Sequence, residues 1–407
     1  MKTAGFTFAD MRYHSYLNSA KKIITAYGGK EPFSAFLKKY FSADKKYGSR
    51  DRKQISTLCY NFYRLGHALP GSTVEDKIIT GAFLCGQSPN EFLNFHKPEW
   101  NELIGKPLTE KIILAGLSAG TVFPWAGELS DGIDLPSFQL SFFDQPDLFI
   151  RIRPGNKNMV IKKLQDAGIK FEMQGEDCIA LANATKLDAV LDLDKEVVVQ
   201  DYNSQQVLNS LKDPISGIPV RTDVHPGGLH PVSLWDCCAA SGGKSILAFD
   251  ILQEEIDLAV SDIRESILAN LKKRFSSAGI KKYHSFIADL GAVDCSLPGT
   301  RYSLIICDAP CTGSGTWSRT PEQPCFFKEE MITVFSDRQK KIVSNVIPQL
   351  KKDGLFIYIT CSVFKKENEE MVNYIKEKFH LQLLQMELLK GYDKKADTMF
   401  VAVFLNK

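Results

Sequence analysis

From residue 232 to residue 362, short apolar runs alternate with longer amphipathic ones, and this alternation constrains the fold more than any other feature of the chain. "VSLWDC", "IDLAVSD", "YHSFIAD", "YSLIICD" and "GLFIYITCS" read as strands. Between them "KSILAFDILQ", "RESILANLKKRFSSAG" and "EEMITVFSDRQKKIVSNVIPQL" read as helices, with apolar positions three to four residues apart. Strands alternating with helices imply an α/β fold with a parallel sheet, because each right-handed crossover lays its helix on a face of the sheet. Ligands of such sheets bind beyond the carboxyl ends of the strands. Asp236, Asp262, Asp289 and Asp308 end four successive strands here. One aspartate at a turn is an ordinary cap; four along one edge point to a binding site.

The turn after the first strand is "CCAASGGKS", Cys237 to Ser245. A phosphate-cradling loop needs G-x-x-x-x-G-K-S/T. Counting back from Gly243-Lys244-Ser245, the first glycine belongs at position 238, where Cys238 stands. Without it the backbone loses the freedom to wrap a phosphate. Small residues between a strand and a helix also suit the floor of an S-adenosylmethionine (SAM) pocket, and that reading uses more of the sequence. Cys238, Ala239, Ala240, Ser241, Gly242, Gly243 and Lys244 form the close-approach turn. Asp262 ends the next strand, where a carboxylate bonds ribose hydroxyls. Asp289 is expected near the adenine amino group.

Two thiols suggest the chemistry. Cys311 in "DAPCTGSG" follows the fourth strand, and Cys361 in "ITCS" ends the fifth. Beside a methyl donor, a thiolate can add to carbon 6 of a pyrimidine, making carbon 5 nucleophilic enough to accept a methyl group. Loss of the carbon-5 proton and expulsion of the thiol complete this covalent route. Asp308 is expected to reach the ring nitrogen and amino group of cytosine and relieve charge as the adduct forms.

The remainder of the chain reads as a helical region over 1–138, a small α/β module over 139–225 and a catalytic domain over 226–407. "SYLNSAKKIITAYGG" and "SRDRKQISTLCYNFYRLGHAL" carry helical periodicity, "DLFIRIRP" and "EVVVQDYN" read as strands, and "RTDVHPGGLHPVS" as a linker. The net charge is only +2, but residues 1–60 hold twelve Lys/Arg against four Asp/Glu, a local +8. Further basic groups lie in "FIRIRPGNKNMVIKKLQDAGIK" and "LKKRFSSAGIKKYH". Three basic clusters together suit a polyanionic partner. Ten cysteines without a C-x-x-C pair predict free thiols rather than a zinc site or a disulfide framework. With no membrane-length apolar run and no secretory h-region at the start, a cytoplasmic protein is expected.

"DCCAASGGK", "DAPCTGSG" and "YITCSVFKKENEEMV" resemble, in order and spacing, the cofactor loop, Pro-Cys motif and Thr-Cys motif of the Sun (Fmu-like) RNA cytosine-5 methyltransferases. "SRDRKQISTLCYNFYRLG" is similar to the antitermination-factor-like RNA-binding domain of the bacterial small-subunit rRNA branch. "PDLFIRIRPGNK" and "QDYNSQQVLNSL" resemble the small module that precedes its core. The resemblance implies a Rossmann-like class I SAM-dependent methyltransferase core behind an all-helical RNA-binding domain. It makes Cys361 the nucleophile, Cys311 the thiol that helps release product, SAM the methyl donor and small-subunit (16S) rRNA the substrate. A monomer with no metal and no membrane association is expected. Ser241 departs from the family's proline, Thr312-Gly313-Ser314-Gly315 from the commoner Ser-Gly-Thr-Gly, and "SRTPEQPC" matches the arginine-rich segment only loosely. Transfer RNA remains a rival substrate, and a non-catalytic assembly protein a rival class.

Overall fold

The computed structural model describes residues 8–44, 46–212, 224–225, 228–229, 231–253, 256–293, 295, 297 and 299–407. The fold divides into two compact units. The first comprises residues 1–127, 134–145 and 317–328; the second comprises 128–133, 146–316 and 329–407.

The first unit is helical. Its main helices are α1 (Phe8–Ala26), α2 (Phe33–Ala43), α3 (Ser49–Tyr63) and α4 (Val74–Cys85). Shorter ones follow: α5 (Glu91–His96), α6 (Pro98–Glu102), α7 (Leu108–Leu114) and α8 (Leu135–Ser141). On α3 the buried residues Ile55, Leu58, Cys59 and Tyr63 recur at helical spacing and pack with Ile23, Phe33 and Ile78. That stripe leaves Arg50, Arg52 and Lys53 exposed. Arg64, just past α3, is buried, and its guanidinium donates to the carbonyls of Phe142, Asp144 and Ser318 at 2.7, 2.8 and 3.0 Å. A single side chain thus satisfies carbonyls from stretches about eighty and about two hundred and fifty residues away.

The second unit holds two sheets. The smaller is built from β1 (Leu148–Ile152), β2 (Phe171–Met173), β3 (Cys178–Leu181) and β4 (Val197–Val199), with helix α9 (Lys157–Asp166) after β1. Its order is β2-β3-β1-β4 and all its pairings are antiparallel. Two-residue strands β5 (Val224–His225) and β6 (Gly228–Leu229) form a small hairpin. The rest of the linker expected around them lies mostly outside the described residues.

The larger sheet contains β7 (Val232–Asp236), β8 (Ile256–Asp262), β9 (His284–Ile287), β10 (Tyr302–Asp308) and β11 (Leu350–Thr360). Helices α10 (Gly243–Ile251), α11 (Glu265–Ala278) and α13 (Glu330–Val346) connect them, with the short α12 (Gln323–Phe326) in the stretch contributed to the helical unit. After α14 (Glu369–Phe379) come β12 (Gln382–Leu389) and β13 (Met399–Leu405). The order β12-β13-β11-β10-β7-β8-β9 is parallel from β11 to β9, whereas β13 runs antiparallel to both its neighbours. This is the expected Rossmann-like core, extended at one edge by a hairpin that the strand pattern up to residue 362 does not contain.

One face of this sheet packs α10 and α11 against Leu234, Leu258, Val260, Ile306 and Ile357. The opposite face packs α13 and α14 against Trp235, Ile305, Phe356 and Phe404. Val198, Val207, Leu208 and Leu211, from β4 and the turns after it, join the first of these cores. A buried ion cluster makes a second connection: Asp250 of α10 accepts from Arg151 of β1 at 2.6 Å and from Arg153 at 2.7 Å. Among the described residues no helix is long and apolar enough to cross a membrane.

Candidate active site

Because β7, β8, β10 and β11 are parallel, their carboxyl ends meet at one edge of the sheet. Two cavities open there. One, of about 350 Å³, is lined by Asp262, Ile263, Asp289, Leu290, Pro310 and Ile342, among others. The other, of about 280 Å³, is lined by Gln200, Asp201, Asp236, Lys244, Arg274 and Asp397, among others. Cys238, Ala240, Asp308 and Cys361 line both.

The turn that borders both is held through its backbone N–H groups. Ala239 N–H donates to Ser261 O at 2.9 Å, Gly242 N–H to Ala239 O at 2.8 Å, and Ala240 N–H to Asp262 Oδ2 at 3.1 Å. Gly242 has φ +85°, and a Cβ there would meet Phe275 at 2.7 Å and Leu271 at 3.1 Å. The position therefore needs glycine both for its left-handed backbone and for the close approach of α11. Of the loop residues expected to hold a cofactor, Cys238 and Ala240 line both cavities. Ala239, Ser241, Gly243 and Lys244 line the smaller, and Gly242 lines neither.

Asp262 is nearly buried and accepts from the Arg264 backbone and side chain at 2.9 to 3.0 Å. Burial works against its charge, but the Arg264 bonds outweigh it and hold the carboxyl below its ordinary value. Asp289 stands two residues beyond β9, exposed, with Oδ1 accepting from Gly291 N–H at 3.0 Å. Asp308 ends β10 and accepts from Lys244 Nζ at 2.6 Å. Burial opposes the Lys244 charge, yet Asp308, with Cys361 and Asp236 beyond it, raises the ammonium above its ordinary value.

Cys311 and Cys361 come together with their sulfurs 3.4 Å apart. The register of β10 on β11 brings them there: Asp308 pairs with Ile359, and Ala309 N–H donates to Ile359 O at 2.9 Å. Cys311 is held well above the ordinary thiol range by its hydrogen bond to Cys361 and by burial.

Both cysteine loops are fastened to Glu367. Its carboxylate accepts from Thr312 N–H at 3.0 Å, Thr312 Oγ1 at 2.6 Å, Gln339 Nε2 at 3.0 Å and the Ser362 hydroxyl. Asn368 accepts from Thr360 Oγ1 at 2.6 Å and donates to Ser362 O at 2.9 Å. The pairing of Lys244 with Asp308, the capture of Asp262 by Arg264 and the anchoring by Glu367 are not evident from spacing alone. The polar run "ENEE" after an apolar strand was the only signal of the last.

Comparison with known proteins bears on this arrangement. Residues 229–403 match the family model described as 16S rRNA methyltransferase RsmB/F. This stretch is similar to RsmB/F-type methyltransferase domains. The chain is 26% identical over 216 residues to the probable ribosomal RNA small subunit methyltransferase B of Bacillus subtilis, covering 53% of this chain and 45% of that protein. It is 30% identical over 165 residues to the ribosomal RNA small subunit methyltransferase F of Psychromonas ingrahamii, covering 40% of this chain and 34% of that one. The matches thus span less than half the length of these curated relatives. In fold, the chain is similar to the crystal structure named PH0851, with a TM-score of 0.69, 16% identity and coverage of 98% of this chain and 99% of that one. It is also similar to NSun6 from Pyrococcus horikoshii with SFG, with a TM-score of 0.55, 13% identity and coverage of 67% and 94%. The matched stretch contains both thiols, Lys244 and the four aspartates Asp236, Asp262, Asp289 and Asp308.

Proposed function

We propose that this protein methylates carbon 5 of a cytosine in RNA, with SAM as methyl donor, through a covalent adduct on Cys361. Small-subunit rRNA is the substrate that the RsmB/F match favours, and the cytoplasm the corresponding compartment. The observation that carries the reading is the pair of thiols 3.4 Å apart, of which Cys361 lines both cavities and Cys311 the larger.

The larger cavity fits the cofactor. It has the size of a small-ligand pocket, an apolar slot between Ile263, Leu290, Pro310 and Ile342 for a planar base, and Asp262 for ribose hydroxyls. Bound there, SAM supplies an electrophilic methyl group. The smaller cavity, with Lys244, Asp308 and Cys361 in its wall, takes the pyrimidine. Asp308 accepts from the cytosine amino group and supports protonation of the ring nitrogen, while the Lys244 ammonium keeps Asp308 oriented. Cys361 adds to carbon 6. Once carbon 5 is methylated, its proton must leave before the thiol can, and Cys311 beside Cys361 assists that release. Glu367 holds both thiols in register without touching substrate.

Denaturing gels with substrate RNA and SAM test the division of labour. Cys361→Ser should abolish both methylation and the covalent band, because a hydroxyl is barely ionised near neutral pH. Cys311→Ser should accumulate a denaturant-resistant protein–RNA complex, and the double variant should show none. A covalent band in Cys361→Ser but not in Cys311→Ser would reverse the two roles. No band in any variant, with no tritium transfer from labelled SAM to RNA by the unaltered protein, would reject the enzyme reading.

A further inference from the structure

At the start of the cofactor turn lies a group of thiols to which the proposed reaction gives no chemical step. Cys237 follows β7, Cys238 begins the turn, and Cys307 is the penultimate residue of β10. Parallel pairing sets Ile306 opposite Asp236, and Cys237 N–H donates to Ile306 O at 2.9 Å. The next residues along, Cys237 and Cys307, therefore point to the same face, where both join the Trp235–Ile305 core. The three sulfurs all lie within 4.8 Å of one another. Cys237 and Cys307 are buried at 1% and 0% exposure, whereas Cys238 is half-buried; Cys237 and Cys238 line the 350 Å³ cavity.

We propose that Cys237, Cys238 and Cys307 form a three-thiolate site for a thiophilic divalent cation of the Zn²⁺ or Cd²⁺ kind, open on its fourth side to the cavity. The donor set excludes hard ions, which take oxygen ligands. Three protein ligands with one open position is an established arrangement for such a cation. Zinc–sulfur bonds of about 2.3 Å put tetrahedral sulfurs ~3.8 Å apart, so sulfurs at up to 4.8 Å need close by no more than about 1 Å. Binding breaks three S–H bonds, forms three metal–sulfur bonds, releases three protons to solvent and leaves a net charge of −1, with a cavity water as fourth ligand. No electron transfer is involved. The ion would tie the start of the cofactor turn to β10, two segments about seventy residues apart in the chain.

The test uses the full chain under a phosphine reductant, with Cd²⁺ as probe and thiolate-to-metal charge-transfer absorption as signal. The Cys311→Ser/Cys361→Ser background removes the other thiol pair from the competition. One equivalent of Cd²⁺ should bind in that background, and adding Cys307→Ala should weaken binding by at least ~100-fold, since even loss of a group that merely orients a ligand weakens metal affinity 10–100-fold. Should Cys307→Ala fail to fold, the unaltered protein supplies the reading. Bound Cd²⁺ should then slow alkylation of Cys238, mapped by mass spectrometry, and leave half-buried Cys325 unaffected. Absorption that survives Cys307→Ala but vanishes in the Cys311→Ser/Cys361→Ser protein would assign the ion to the proposed catalytic pair and overturn the site. Alkylation of Cys238 at an unchanged rate would overturn it equally.

Discussion

Asp236 shows how far one residue's behaviour depends on its surroundings. It ends β7 fully buried, with Oδ2 accepting from Ser245 Oγ at 2.6 Å and Oδ1 without a hydrogen-bond partner. Burial raises its carboxyl to about 7, against the downward pull of the Ser245 hydroxyl. A folded value above the unfolded one means that the native protein keeps a proton the unfolded chain has lost, over the window from about 4 to about 7. Stability contributed by this group is therefore present below that window and falls as pH rises through it, by at most about 1.4 kcal/mol per pH unit. Asp236→Asn should remove that component, so urea unfolding between about pH 5 and 7 should show a shallower decline than the unaltered protein. Equal slopes would mean that Asp236 is ionised in the folded state. An aspartate at a strand end was legible in the sequence. Its protonation was not, because that depends on which neighbours exclude water.

At the scale of elements, β7, β8, β10 and the helices between them match the expected spans closely because their patterns are local. "IDLAVSD" and "YSLIICD" are strands over their whole length. The small module differs. Only β1, α9 and β4 were legible there, since β2 and β3 have three and four residues and sit in a polar stretch with little periodicity. What joins this module to α10 is the Arg151–Asp250–Arg153 cluster, with side-chain exposures of 7, 6 and 11%. Removing one partner of such a buried group leaves the others as uncompensated charge. Asp250→Ala should therefore lower stability by about 3–5 kcal/mol, measured by chemical denaturation. A loss under about 1 kcal/mol, the level of a surface pair, would show that water reaches the arginines.

Across the whole molecule, the basic excess of residues 1–60 belongs to the helical unit, and the sites for chemistry to the other. Reversing exposed Arg50, Arg52 and Lys53 to Glu should weaken RNA binding and flatten its dependence on log salt by about 2–3, near 0.7–0.9 for each phosphate that these side chains cease to neutralise. Unchanged affinity and slope across a salt titration would remove this face of α3 from the RNA-binding surface. By itself, the sequence determined the parallel β/α core, the aspartates at its strand ends and the two thiols beyond β10 and β11, because periodicity, turn residues and motif spacing are properties of neighbouring residues. Only the tertiary structure decided that Lys244 meets Asp308 across 64 positions and that Glu367 fastens Thr312 across 55. It also decided that three cysteines without metal-ligand spacing gather at the start of the cofactor turn, that residues 317–328 complete the helical unit, and that β13 enters the sheet antiparallel. These arrangements follow from strand order and register, which are set by how all the apolar faces are buried at once and leave no trace in local periodicity.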